Sequence, residues 1–211
     1  MQIRARVVAL AQTRDAHIFA GKDFRHDWVG ARTVFWRKLF EDIRETTSRL
    51  LEIGSHEGRS AVFWLEFFAG AHLTCIDLFS GDWSERFDRN LAGYGTRVRK
   101  LAGTSIKSLG ILREEKAVFD FIYVDGSHRR DDVMIDCLGA WRMLRDGGVM
   151  LMDDYTWMPD NPDAERVAPA VDTFLAWHPD ADVIDKSYQV AVRKRGRRRE
   201  EGGEREKEGS A

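Results

Sequence analysis

The sequence predicts an α/β fold of three layers: a mostly parallel seven-stranded sheet between helices, with an antiparallel hairpin at its C-terminal end. Three observations lead there. From residue 50 onward, short apolar runs alternate with segments of helical periodicity, the pattern of successive β-α-β units. The runs are apolar almost throughout, as strands covered on both faces require. The last two runs, Val183-Ile184 and Tyr188 to Val192, are joined only by Asp185 to Ser187. That link is too short for a parallel crossover, so the two strands run antiparallel.

Along the chain, residues 1 to 20 are ambiguous. Ile3, Val7, Val8, Leu10 and Ala11 suit either a short strand or a first helix. Residues 21 to 33 carry Gly21, Gly30 and many polar groups and read as a loop. Phe35, Trp36, Leu39, Phe40 and Ile43 recur on one face of a helix beginning near Val34, which assigns Phe35 and Trp36 to packing. The first strand is Leu50 to Ile53, stopped by Gly54. A helix over 60–68 leads to a second strand, Leu73 to Asp77, and a helix over 83–91 to a third, Val98 to Leu101. A helix over 105–114 precedes the fourth strand, Phe119 to Val124. A long helix over 130–144 follows, and Gly147-Gly148 turn the chain into a fifth strand, Val149 to Met152. Pro169 suits the first turn of a helix ending at Trp177.

The 211 residues suit one domain with a sizeable core. The reading divides them into an N-terminal segment, 1–48, that packs on the core or forms a lid, a body over 49–195, and a charged tail, 196–211. From Arg193 onward the chain has eight basic and five acidic residues and no apolar one before Ala211. It cannot bury surface, so disorder is expected there. A net charge of -2 gives no general reason to bind nucleic acid or an anionic membrane. Cys75 and Cys137 lie far apart in apolar segments and read as buried thiols, with no disulfide or zinc spacing. The apolar run Val7 to Ala11 is too short for a signal-peptide core or a membrane span, so a cytoplasmic protein is expected.

In sheets of this kind ligands sit beyond the carboxyl ends of the strands. The first strand runs into Glu52-Ile53-Gly54-Ser55-His56-Glu57-Gly58. Gly54 lets the turn approach a ligand, and Gly58 lets the next helix pack closely. His56 stands where a pyrophosphate site usually needs a further glycine. A bare strand-to-helix turn is the alternative. Asp77 ends the second strand nineteen residues after Gly58, where a carboxylate can accept from both hydroxyls of a ribose. After the third strand come Ala102-Gly103-Thr104-Ser105, small groups that can meet an adenine edge or cap the next helix. The fourth and fifth strands end in Asp125-Gly126-Ser127-His128 and Asp153-Asp154-Tyr155. Three carboxylates at neighbouring tips repel one another unless something compensates, and an oxygen-rich site suits Mg²⁺ or a similar cation. Asp153 and Asp154 can both reach one ion only where the strand breaks into loop. His128 is a general-base candidate or a plain loop histidine. Trp28, Trp83, Tyr155 and Trp157 fall in segments near this face, as pocket walls or as loop packing.

Over about Lys22 to Lys194 the chain resembles the Rossmann-like class I methyltransferases of the "methyltransferase domain 24" group. The resemblance rests on LLEIGSHEGRSAVFWL, LTCIDLFSGD, ERFDRN, FDFIYVDGSH, WRMLRDGGVMLMDDY and YQVAVRK, which follow in order. The group is similar to macrolide-sugar O-methyltransferases and, more distantly, to catechol O-methyltransferase. The resemblance implies S-adenosylmethionine (SAM) as cofactor, held by Glu52, Gly54, Ser55, Gly58, Asp77, Gly103, Ser105 and Asp125. It implies a divalent cation, Mg²⁺ for example, on Asp125, Asp153 and Asp154, orienting a substrate hydroxyl pair. Catechol O-methyltransferase has a lysine base after its fourth-strand aspartate, whereas this chain has Gly126-Ser127-His128. Asp125 and His128 are therefore the candidate catalytic residues. The expected activity is O-methylation of a small-molecule hydroxyl. A homodimer is kept as an arrangement to test, and no membrane or nucleic-acid partner is expected. A non-catalytic SAM-binding module and an NAD-type oxidoreductase are the rivals. The second is disfavoured by His56, by the terminal hairpin and by the Asp153-Asp154 pair.

Overall fold

The computed structural model describes residues 15–30 and 32–196. A short α1 (Ala16–Phe19) and α2 (Arg32–Leu39) precede β1 (Arg49–Ile53). There follow α3 (Arg59–Phe67), β2 (His72–Asp77), α4 (Asp82–Leu91), β3 (Val98–Ala102), α5 (Ser105–Glu114), β4 (Phe119–Val124), α6 (Arg130–Met143), β5 (Leu144–Met152), α7 (Ala168–Trp177), β6 (Ala181–Lys186) and β7 (Val190–Lys194). The strands form one sheet in the order β3-β2-β1-β4-β5-β7-β6. Its first five members pair in parallel, and β7 pairs antiparallel with both β5 and β6. The strand order reverses between β1 and β4, so the crossovers on either side lead away from a crevice at that point.

Three differences from the sequence reading have local causes. The fifth strand begins five residues earlier than expected, directly after α6. Gly147, at φ +75°, and Gly148 form a bulge inside it instead of a turn before it. The register with β4 steps from Phe119–Leu144 to Phe121–Val149, so the extra β5 residues loop out without ending the pairing. The first long helix stops at Leu39, and the periodic pattern continues through a 3₁₀ turn, Glu41–Ile43. The last strand begins at Val190, because Ser187 to Gln189 form the turn. The expectations for residues 1–14 and for nearly all of the charged tail lie outside the described residues.

Alternate residues of β4 face opposite layers. Phe121 and Tyr123 join one core with Trp36, Phe40, Phe63, Trp64 and Phe68, while Ile122 and Val124 join the other with Val133, Cys137, Trp141 and Phe174. Trp36 is fully buried. It stacks on Trp64 at 4.5 Å, and its indole N–H donates to Gln189 Oε1 of the β6–β7 turn at 2.7 Å. Helix α2 is thus fixed to α3, to β4 through Tyr123 and to the β6–β7 turn. Asp120 on β4 accepts from the backbone N–H groups of Ser48 and Arg49 at 2.9 and 2.8 Å, which starts β1 in register. Cys75 and Cys137 are buried free thiols. Among the described residues no helix is long and apolar enough to cross a membrane.

The crevice depends on Gly54, at φ +93°. A Cβ there would lie 1.9 Å from the Asp125 carbonyl oxygen. Gly21, at φ +73°, has no atom within 4 Å of such a Cβ and isolates the backbone strain alone. Gly21→Ala is expected to cost about 1–2 kcal/mol from its left-handed backbone. Gly54→Ala is expected to cost at least about 2 kcal/mol more, because β1 and β4 must part. Urea denaturation of both variants measures the difference, and equal losses would show that the tip is not sterically constrained.

Candidate functional site

The turn after β1 is stabilised by its own backbone geometry and by a neighbour. His56 takes φ +46°, and its N–H donates to Asp77 Oδ2 at 2.9 Å. The other oxygen of Asp77 accepts from the Phe79 N–H at 3.2 Å. Asp77 is thereby fixed at the end of β2, facing a cavity of about 370 Å³. Ile53, Gly54, Ile76, Asp77, Leu78, Gly103, Thr104, Ser105 and Ile106 line it from β1, β2 and β3, and Gly126, Ser127, Asp132 and Asp136 close it from the β4 side. Asp77, Gly54, Gly103 and Ser105 therefore meet in one place.

Of the other expected cofactor residues, Gly58, Glu52 and Ser55 do not line this cavity. Gly58 stands apart from the cavity, and its missing side chain makes room for Leu91, whose Cδ2 lies 2.3 Å from where a Cβ would be. Glu52 and Ser55 are buried beneath the turn. Glu52 Oε2 meets the Cys75 thiol at 3.9 Å, and burial pushes the carboxyl up to about 7. Ser105 is the first residue of α5 and Thr104 its cap position, so the capping alternative for Ser105 falls away. Ser105 and Asp136 both line the cavity wall.

At the β4 and β5 tips the cation expectation changes in one member. Ligand atoms of Asp125, His128 and Asp154 lie within 4.8 Å of one another. Asp153 is not in this group. The β5 backbone stays paired through Asp153, whose N–H reaches the Val124 carbonyl at 2.9 Å, and breaks only at Asp154, at φ +57°. The two side chains consequently diverge. Asp153 accepts from the Tyr123 hydroxyl and lies 3.4 Å from Arg32 Nη1. Asp154 accepts from the Tyr188 hydroxyl and sits 2.7 Å from His128 Nε2. Asp125, His128, Asp153 and Asp154 all border a hole of about 10 Å³, close to the least that holds one water or ion.

The electrostatics of this corner are those of unbalanced negative charge. Burial, then Asp153 and Asp154, push the Asp125 carboxyl well above its usual range. Burial also raises Asp153, against the pull of Arg32. Asp154 is held low: burial opposes its charge, but hydrogen bonds from His128 and Tyr188 prevail. The bond to Asp154 raises His128. This corner fits a hard divalent cation, since two carboxylates converge beside the His128 imidazole and Arg32 is engaged with Asp153.

Aromatic rings flank both halves. Trp28 stacks on His26 at 4.9 Å and leans on His56, which in turn leans on Trp83. Trp157 covers His128 at 4.5 Å. Tyr155 instead bonds Asp172 at 3.0 Å and packs against the second core. Arg32, Tyr123, Tyr188 and Asp136 were not singled out from the sequence. Asp136 had a readable signal: it shares a helix stripe with Val133 and Ala140, where a carboxylate must either be paired or serve a ligand.

Residues 51–155 match a family model described as "Methyltransferase domain" (Methyltransf_24). Among curated protein sequences none is a significant match. Solved structures share the fold. An O-methyltransferase from Bacillus cereus in complex with SAH superposes with a TM-score of 0.67 at 19% identity, over 90% of this chain and 91% of that one. TomG from Streptomyces achromogenes, an O-methyltransferase involved in tomaymycin synthesis, in complex with SAM, gives 0.63 at 21%, over 90% and 89%. The MycE methyltransferase of mycinamycin biosynthesis, with Mg and SAH, gives 0.63 at 18%, over 90% of this chain and 54% of its own.

The buried Glu52 has a measurable consequence. Its carboxyl titrates near 7 in the fold and at about 4.3 in an unfolded chain. Between those values the folded protein holds a proton that the unfolded one has released. Stability from this group is therefore lost as pH rises through that window, by about 4 kcal/mol in all. Glu52→Gln is neutral throughout and should flatten the curve of unfolding free energy against pH in that window. Parallel curves for the two proteins would show that Glu52 is charged in the fold.

Proposed function

The chain carries a class I SAM-dependent methyltransferase domain, and from that premise we propose that it methylates a hydroxyl oxygen of a small molecule with the help of a divalent cation. One observation carries the reading. The cavity under Asp77 and the ion-sized hole bounded by Asp125, His128, Asp153 and Asp154 share Ser127 in their walls. Cofactor and acceptor sites thus adjoin at the strand tips. The O-methyltransferases of the same fold, one of them described with Mg, are in keeping with this chemistry.

Bound SAM supplies an electrophilic methyl, so the protein's work is alignment and proton removal. Asp77 accepts from the ribose hydroxyls. Gly54 and Gly103 admit the cofactor close to the backbone. Asp125 and Asp154 would hold the cation, which lowers the pKa of an acceptor hydroxyl bound to it. Asp153, tied to Tyr123 and Arg32, buttresses the site from behind. His128 stands at its open edge, oriented by Asp154 and backed by Trp157, and takes the acceptor's proton. Trp28 is largely exposed beside His56 and is available to wall the acceptor.

Two measurements test the reading. Asp77→Ala should weaken SAM binding about tenfold or more by calorimetry, on the scale of a charged hydrogen bond, with the melting temperature little changed. Methyl transfer to a panel of phenols, sugars and polyketide alcohols, followed as SAH release, should cease in EDTA and return with Mg²⁺ or Mn²⁺. Full turnover in chelator would remove the cation from the mechanism. SAM binding without turnover on any acceptor would favour a binding module.

A further inference from the structure

The outer faces of α5 and α6 carry a feature that methyl transfer leaves without a task. The two helices repeat one pattern, Ile-x-x-Leu-Gly-x-x-Arg, from Ile106 to Arg113 on α5 and from Ile135 to Arg142 on α6. These two stripes line a groove of about 360 Å³. A solvent face calls for polar groups, yet Ile106 is 59% exposed and Ile135 39%. Gly139 has a reason inside the chain, since a Cβ on it would lie 2.9 Å from Leu109 Cδ1. Gly110 has none: no atom comes within 4 Å of where its Cβ would be, although a glycine inside a helix weakens it. That open space lets another backbone come close. Arg113 and Arg142 stand in the last turns of their helices, and among the described residues neither side chain forms a hydrogen bond or ion pair.

We propose that this face is a homodimer interface, in which α6 packs antiparallel against α6 of a second copy about a two-fold axis. Four residues of α6 decide the choice of partner. Asp131, Ile135, Leu138 and Arg142 follow one another at spacings of four, three and four, so they share one stripe of the helix. The stripe reads acid, apolar, apolar, base, and is its own complement when reversed. The register that sets Ile135 against Leu138 of the partner subunit also sets Arg142 against Asp131 of the partner subunit. The two-fold repeats both contacts. The Asp131 side chain is 78% exposed, and among the described residues its one ion pair is with the adjacent Arg130, an exposed contact worth little. An unrelated acidic partner would suit Arg113 and Arg142 but would be repelled by Asp131. A second copy suits both ends of the stripe, and Gly110 leaves room beside it for the entering helix.

The test is sedimentation equilibrium of the full chain at concentrations up to about 100 µM. The wild-type chain should be dimeric at the upper end. Ile135→Lys should leave a monomer with the far-ultraviolet dichroism of the wild type, since the residue is exposed. Arg142→Glu sets acid against acid across the axis and should raise the dissociation constant about tenfold or more, and Asp131→Arg should do the same with two bases. The double variant Asp131→Arg/Arg142→Glu restores opposite charges and should return the constant to within about threefold of wild type. A monomeric wild type overturns the proposal and leaves the groove to a different partner. A dimer indifferent to Ile135→Lys overturns it by putting the contact elsewhere. Loss in the single charge variants without rescue in the double one overturns the antiparallel register, and the proposal with it. Should Ile135→Lys fail to fold, the charge exchange decides alone.

Discussion

The approach of the Asp125 backbone to Gly54 is the constraint on which the site depends. The Asp125 N–H donates to the Ile53 carbonyl at 2.8 Å, and the Gly54 N–H donates to the Ile76 carbonyl at 2.8 Å. The Asp153 N–H continues the same lateral pairing to Val124. The ladder therefore runs past the formal ends of β1, β4 and β5 and into residues that line the cavity and the small hole at the strand tips. A side chain on Gly54 would intrude between two of these rungs. The functional groups are held by sheet hydrogen bonds and not by loops, which keeps Asp77, Asp125 and Asp153 at fixed separations.

That rigidity explains why the acids at the β4 and β5 tips can be kept together at all. Each carboxylate has its own neutral or cationic support: Tyr123 and Arg32 for Asp153, Tyr188 and His128 for Asp154. Asp125 must share that one Tyr123 proton with Asp153, from 3.0 Å, and among the described residues no other side-chain donor reaches it, so it carries most of the unrelieved repulsion. Arg32 also packs over the Tyr188 ring at 4.4 Å. One arginine from α2 thus steadies the supports of both neighbouring aspartates. The segment before the sheet takes part in the electrostatics of the site as well as in its packing.

Most of the fold was legible because its central strands, β1, β2, β4 and β5, are largely buried and read as apolar runs. The antiparallel ending followed from the three residues before Tyr188, whereas the strand order came only from the pairings of the folded chain. The bulge at Gly147-Gly148 was not: glycine pairs mark turns and bulges alike, and only pairing with β4 distinguishes them. At the site, strand-tip position was enough to bring Asp77, Gly54, Gly103, Ser105, Asp125, His128 and Asp154 to one face. The divergence of Asp153 from Asp154 turned on a single left-handed residue, which one sequence does not specify. Arg32 and Tyr188 were hidden for another reason. They come from segments far apart in the chain, 121 and 34 residues from their acidic partners, and carry no local signature.

The Trp36–Trp64 pair gives the molecule an intrinsic optical reporter. The two indoles lie at 29° in a rigid, dry setting, one from α2 and one from α3. Chromophores held that close couple their transitions, which produces a near-ultraviolet dichroism that neither ring has alone. The coupling vanishes when either partner moves. Loosening of the N-terminal helix would then be visible in the dichroism of the native chain before the backbone signal of the sheet begins to change. The seam between the first helix and the sheet can be followed spectroscopically without attaching a label.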